Sequence, residues 1–494
     1  MIVLICLRVH CMYEDATSPP VIYQLYFSWF KTMGDEKRDV EAVLDPVLSP
    51  PHWYGARHTQ MVLLFLLPLL AYATRVNMSV GIVAMTDPEA SENPDVPTYE
   101  WEDQGIVLSA FFMGYFVTQP AGGLLAKIYG PKWIIAASIT ANSVLGILTP
   151  VVAPFGSWAV SVCRLLQGLG QGFIYPCIHQ ALSKWAPPLE RARLGTFVYC
   201  GGHAGTVFSM SLTGWISKTW LGWPWAFYIC GTAGLVWTVL WVILGKNSPA
   251  DHKTIDPLEK SYIQFSLGQV QSASPPTPWK AIFTSKPFWA ILAANVGQGW
   301  GFTILLTNIP TYMGNALGFD IQKNGVLSAL PYLVLWIFCL ISGFVSDFVV
   351  SRNYVTTGLA RKIANTISFC VPGLCLLALG WIGGAEWDTT NVSLALIFLS
   401  VGFNGSSTCG YHMNHIDLSP VHSGTLLGLT NGIGNCIGFI APLVLQVIVT
   451  DKDDPLQWST IFYISSAIYI VSNAIYVVFG SGELQAWNNL EVSR

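Results

Sequence analysis

Two arginines and two glutamines carry the chemistry legible in this chain. Arg75 lies near the middle of an apolar run, and Arg164 lies in the first part of another. A guanidinium inside a bilayer costs about 2.5–3.5 kcal/mol on insertion scales, so such residues are rare and mostly functional. Gln167 and Gln171 follow Arg164 by three and seven residues and share its helical face. Neither is a carboxylate, and no Asp or Glu is in reach within these runs. Two guanidiniums without a counterion suit an anion, because the planar fork binds carboxylate or phosphate through paired hydrogen bonds. The alternative for each arginine is that it bonds backbone carbonyls or extends towards the interface.

Composition says what must position these groups. Of 494 residues, 11% are charged and 52% hydrophobic, against about 25% charged in a soluble domain. Mean hydropathy is +0.49. Runs of about twenty apolar residues match the roughly 30 Å of hydrocarbon that a helix must cross. The expected fold is all-α and integral to the membrane, with twelve spans. They cover 61–86, 104–126, 133–153, 158–180, 195–217, 225–245, 288–313, 325–350, 362–382, 393–412, 423–449 and 459–479.

The longest polar interruption separates the sixth and seventh spans. Its SPADHKTIDPLEK and QSASPPTP segments read as a solvated linker with a short charged helix. The organisation expected is a tail at 1–60, a six-helix half at 61–245, a central loop at 246–287, a second six-helix half at 288–480 and a tail at 481–494. Two six-helix halves are the plan of facilitator-type carriers.

The halves echo each other. GLLAKIYGPK (123–132) follows the second span and GFVSDFVVSR (343–352) follows the eighth. Both resemble the loop motif of the major facilitator superfamily. Asp347 keeps the motif's acid, whereas Lys127 stands in its place in the first copy. Either version is expected to latch helix ends together, the alternative being ordinary topology charges.

Lys and Arg placement gives the orientation. One side holds Lys127, Lys132, Lys184, Arg191, Arg193, Lys246, Lys253, Lys260, Lys280, Lys286, Arg352, Arg361 and Lys362. The other holds Lys218, Lys323 and Lys452. Both termini are therefore expected in the cytoplasm. Residues 1–32 carry no functional weight, and Met33, which opens a polar tail, is read as an alternative start. Asn391 heads the one glycosylation sequon outside a span, and its nearness to the bilayer argues against use. The eleven cysteines lie mostly within spans and read as packing residues, with no metal spacing and no evident disulfide pair.

RVNMSVGIVAMT (75–86), FFMGYFVTQPAGGLLAKIYG (111–130), RLLQGLGQGFIYPCIHQALSKWAPPLER (164–191) and NHIDLSP (414–420) resemble solute carrier family 17. That family holds type I sodium/phosphate cotransporters, sialin and vesicular glutamate transporters. The likeness runs from about 58 to 480. It implies that Arg75 and Arg164 serve substrate binding. In sialin-like members both positions matching Gln167 and Gln171 are glutamate. In the glutamate transporters the second is glutamate, and a histidine and an arginine stand where this chain has Leu108 and Gln298. Glutamine does not titrate, so proton coupling through these positions is excluded and glutamate filling is disfavoured.

The expected activity is secondary active anion transport by alternating access, as sodium-dependent symport of inorganic phosphate or an organic anion. The alternatives are proton-coupled transport of an organic acid in an acidic organelle, and an uncoupled anion conductance. Candidate substrate contacts are Arg75, Arg164, Gln167, Gln171, Tyr199 and Gln298. Candidate coupling or gating residues are His203, Asn295, Asn404, Asn431, Asn435, Lys127 and Asp347. His203 titrates near neutral pH but also fits a neutral buried role. The amides, with Ser407, offer oxygens to Na+ but also glue helices together. His179 reads as structural, and His412 and His415 as gate or packing residues. Glycines at 168–172, 201–205 and 428–438 fit either sliding surfaces or plain close packing.

No resident metal or cofactor, no nucleic acid and no enzyme chemistry is expected. The coupling ion is Na+, with H+ as the alternative. The partners are a small anion and the bilayer, the chain is expected as a monomer, and the plasma membrane is favoured over an organelle.

Overall fold

A computed structural model describes residues 54–86, 91–101, 103–267, 276–312, 321–383, 390–450 and 454–489. The readings made on the tail around Met33 and on Lys452 fall outside these residues, and the side chain of Lys323 is likewise not described. Contacts divide the chain into a large body, His58–Ser248 with Ser274–Arg494, and a small one, Met1–Arg57 with Pro249–Ala273.

Every regular element among the described residues is helical. The first half holds α1 (Ala56–Thr86), α2 (Gln104–Tyr129), α3 (Pro131–Val152), α4 (Ser157–Gln171), α5 (Ile174–Trp185), α6 (Arg191–Lys218) and α7 (Trp223–Leu244). Two short helices, α8 (Pro257–Leu267) and α9 (Trp279–Thr284), lie in the central loop. The second half holds α10 (Lys286–Thr311), α11 (Ile321–Ser351), α12 (Thr357–Ile382), α13 (Thr390–Asn404), α14 (Tyr411–Leu418), α15 (Ser423–Ile448) and α16 (Pro455–Phe479).

All twelve expected spans coincide with helices, with one difference in kind. The fourth and tenth are each broken. α4 ends at Gln171 and α5 begins at Ile174, while a 3-10 turn at Gly405–Thr408 separates α13 from α14. These are the corresponding helices of the two halves. Gly172, Gly405 and Gly410 supply the weak points, since glycine stabilises helix less than any residue but proline.

Seven described segments are long and apolar enough to cross a membrane on length and composition: spans one, three, six, eight, nine, ten and twelve. The remaining spans include the fourth, fifth, seventh and eleventh, which hold the glycines and most of the amides noted above. A helix that lines the interior of a bundle needs less apolar surface than one facing lipid.

Within the first half α2 packs along α4, and α3 packs against α7. Gly114 and Gly168 make the first contact possible. A Cβ on Gly168 would strike the Phe111 carbonyl, and one on Gly114 would strike the Leu165 carbonyl. In the second half α10 packs on α15 and α16, and α12 on α16. The halves meet through α2 with α15, α6 with α11, and α5 with α15.

In the small body, Glu259 of α8 accepts from the backbone N–H of Ala56 and Arg57, at 2.8 and 3.1 Å, and from the Arg57 guanidinium at 2.9 Å. A carboxylate on the first N–H groups of α1 satisfies donors that a helix start leaves orphaned.

Gly168→Leu should wedge α2 from α4. Overpacking of this kind costs about 1–3 kcal/mol. A fluorescence melt of the purified protein should show a lower unfolding temperature, whereas Gly170→Leu, with no atom closer than 3.6 Å to its Cβ position, should shift it less.

Candidate functional site

α1, α2 and α4 converge on the two arginines. Tyr72 and Arg75 share a face of α1, and Phe111, Phe112 and Tyr115 share a face of α2. The Arg75 guanidinium lies 5.2 Å from the Tyr72 ring, 4.9 Å from Phe111, 4.6 Å from Phe112 and 5.0 Å from Tyr115. Arg164, from α4, sits 4.7 Å from the same Phe111 ring. Ring faces are electron-rich and stabilise a cation by about 0.5–2 kcal/mol each, more where water is excluded. Thus two like charges are held close together by one shared aromatic ring.

Arg164 is 2% exposed. It donates to Gln167 Oε1 at 3.0 Å and to the Arg75 carbonyl at 3.2 Å. Its Nε is buried with no hydrogen-bond partner among the described residues. Neither arginine forms an ion pair among those residues; the ion pairs there involve Arg57, Arg191, Arg193 and Arg361. Backbone bonding by Arg164, one of the two expectations, therefore occurs alongside an open donor.

The glutamines hold the frame. Gln171 donates to the Ala71 carbonyl at 2.6 Å and to Thr74 Oγ1 at 3.3 Å, pinning α4 to α1. Thr74 donates to Asn142 of α3 at 3.1 Å, and Asn142 donates to the Gln167 carbonyl at 3.4 Å. Gln167 thus occupies one guanidinium nitrogen of Arg164 and Gln171 bonds α1, and the Arg164 Nε is left open.

Tyr199 and Gln298 do not join this group. Tyr199 is bonded to His179 Nδ1 and stacks on Tyr175 at 5.4 Å. Tyr175 meets Tyr72 edge-on at 6.2 Å, so a line of rings leads from Arg75 to His179. Gln298 donates to Asn404 Oδ1 at 2.5 Å, and Asn404 donates to Tyr469 at 3.0 Å. Helical phase alone did not reveal that these side chains turn to partners in their own half.

The sodium candidates fall into three sets, Gln298 with Asn404 as above, Asn295 on α10 with Thr430, and Asn431 with Asn435 on α15. Asn295 donates to Thr430 at 3.3 Å. Asn431 donates to Gln119 of α2 at 2.9 Å, and Asn435 to the Asn431 carbonyl at 2.7 Å. The structure does not bring the amides into one cage. His203 is half-buried and makes no hydrogen bond among the described residues.

His179, His412 and His415 meet where the halves join, with ring centroids 5.5–6.3 Å apart. His179 Nε2 and His415 Nδ1 both donate to the His412 carbonyl at 2.9 Å. Each one's other nitrogen meets a hydroxyl, that of Tyr199 and that of Thr430. A carbonyl cannot donate, so His179 Nε2 and His415 Nδ1 each carry a hydrogen.

The charged seal beside them was not read from the sequence. Asp417 is 7% exposed, and accepts from Arg191 at 2.8 Å and from Arg361 at 2.7 Å. Arg191 and Arg361 were counted as loop charges, yet both are buried, at 5% and 2% exposure. PPLER and NHID, quoted above as sequence motifs, are therefore the two sides of one ion pair between halves. Asp347 accepts from the N–H groups of Ala192 at 3.1 Å and Arg193 at 2.7 Å. It caps α6 from the opposite half. Lys127 instead reaches His422 Nδ1 at 3.1 Å, just before α15. The signal available was the pairing of opposite charges at two span ends, which has no spacing rule.

Breaking a buried ion pair from one side costs about 3–5 kcal/mol. Asp417→Asn leaves two buried arginines facing each other, and should lower the unfolding temperature and the yield of monodisperse protein more than Asn391→Gln at an exposed position.

Residues 59–442 match the sequence profile of the Major Facilitator Superfamily. A putative inorganic phosphate cotransporter of Drosophila melanogaster is 38% identical over 470 residues, covering 90% of this chain and 88% of its own. Sialin of Homo sapiens is 36% identical, covering 89% and 92%. Vesicular glutamate transporter 2 of Homo sapiens is 34% identical, covering 85% and 73%. The fold matches the proton:xylose symporter XylE with a TM-score of 0.68, over 87% of this chain and 97% of that one at 12% identity. It also matches a bacterial homologue of the iron transporter ferroportin in an outward-facing state, with a TM-score of 0.62 over 85% and 98% at 14% identity. These relatives and structural neighbours are transporters rather than enzymes. A twelve-span helical bundle with this likeness along its length belongs to the Major Facilitator Superfamily, and within it to solute carrier family 17.

Proposed function

We propose that this protein is a secondary active transporter of small anions, working by alternating access with Arg75 and Arg164 as the anion-binding groups. The observation that carries this is the pair of arginines around Phe111, with no carboxylate partner among the described residues and an open Nε on Arg164. A buried charge left unanswered is costly, and a substrate of opposite sign answers it. The names of the relatives, phosphate cotransporter, sialin and glutamate transporter, support an anion as cargo.

The preferred reading is sodium-dependent symport of inorganic phosphate or an organic anion at the plasma membrane, with both termini cytoplasmic. Glutamine at 167 and 171 supports it, because neither side chain can carry a proton. One observation favours a second reading. His203 is a half-buried imidazole in the fifth span, a side chain of the type that can carry a proton where Gln167 and Gln171 cannot. Proton-coupled organic acid transport in an acidic organelle would use it.

Labelled phosphate uptake into proteoliposomes, with sodium and pH gradients imposed separately, tests both. Accumulation that needs sodium and ignores the pH gradient is expected. Uptake following pH alone, and lost in His203→Gln, would favour the second reading, and flux without accumulation would indicate a conductance. Arg164→Ala should lower uptake at least about tenfold with the protein still folded. Arg164→Lys should restore little, because an ammonium cannot reproduce a bidentate fork. Full uptake by Arg164→Ala would sink the proposed site.

A further inference from the structure

The two loop motifs close the same end of the molecule with opposite chemistry. Asp347, from the second half, puts a carboxylate on the start of α6. A helix start carries a partial positive charge, so that contact is favourable. The corresponding side chain of the first half, Lys127, puts a cation beside the start of α15. The same helix charge opposes it. What accepts the Lys127 ammonium there is the Nδ1 nitrogen of His422, the residue just before α15. Both side chains are buried, at 8% and 0% exposure.

We propose that Lys127 and His422 form a proton-sensitive latch, which holds the two halves together at the end rich in Lys and Arg and releases when His422 takes a proton. A neutral imidazole nitrogen accepts from the ammonium. A protonated one is itself a donor, and two positive groups then face each other at 3.1 Å. The surroundings offer little remedy. Lys127 also reaches Thr277 at 3.3 Å. Around His422 lie Ser419, which accepts from its backbone N–H at 3.2 Å, and the ring of Trp487 at 6.2 Å. Among the described residues Lys127 is the charged group that acts on it. The Asn488 backbone favours a protonated ring, but by less than burial and Lys127 oppose it.

Burial, and then Lys127, lower the His422 pKa to about 3. An opened, hydrated His422 returns to about 6.5. Neutral His422 therefore favours the sealed form fully above about pH 6.5, and that preference fades as pH falls towards 3. Positive charge marks this end as cytoplasmic, so the latch would read cytoplasmic pH.

The test follows the seal itself and needs no transported anion, so its failure would leave the anion reading standing. Tyr129 and Tyr354 are 69% and 70% exposed and follow Lys127 and Asp347 on opposite halves. Each is replaced by a ketone-bearing phenylalanine and spin-labelled, which avoids the native cysteines, and the full chain is placed in nanodiscs. Pulsed EPR should show the ratio of long to short distances rising about tenfold between pH 7.5 and pH 5.5. His422→Gln should flatten that response, and so should His422→Tyr if the amide variant folds poorly. Lys127→Gln should shrink it, since burial remains but the like charge is gone. A flat wild-type profile, or a wild-type response in either His422 variant, overturns the latch.

Discussion

A charge taken out of water must be answered by a partner or by a ligand, and this molecule is arranged around which charges are answered. At one end of the bundle the buried arginines and acids answer one another. Asp417 sits between Arg191 and Arg361, and Asp347 sits on the N–H groups that open α6. Deeper in the first half, Arg75 and Arg164 share the ring of Phe111 and face no acid among the described residues. The first arrangement joins the two halves, and the second leaves two cations without a carboxylate partner among the described residues.

The seal is also where the helices are interrupted. α5 and α14, the lower pieces of the two broken spans, carry His179 from one half and His412 with His415 from the other. Their rings pack together and share one backbone carbonyl. Irregular backbone in a membrane is tolerated where protein buries it, and here the opposite half does so. An interface built from hydrogen bonds and ion pairs separates at less cost than a greasy one once water enters, because each polar group can be hydrated in turn. That property suits a carrier whose halves must part and meet again.

Much of the fold was readable without coordinates. Twenty-residue apolar runs have essentially one solution in a bilayer, so all twelve helices were found within a few residues of their ends. The breaks in spans four and ten were missed, because a chain that stays apolar gives no mark where a helix pauses. Within the site, Arg75 and Arg164 stood out because their cost in hydrocarbon is independent of neighbours. Gln298 was grouped with them because relatives carry an arginine at that position, and neither that nor the face of the fifth span holding Tyr199 names the element opposite.

Local chemistry thus determined class, span number, the presence of two cations within spans and the absence of titrating groups at 167 and 171. Those follow from side-chain identity and from the one-dimensional demand that backbone polar groups be satisfied inside the membrane. Tertiary structure decided which charges are neutralised. Asp417 with Arg191 and Lys127 with His422 pair across 226 and 295 positions of sequence. No spacing rule spans such distances, since a contact between halves depends on how whole helices dock.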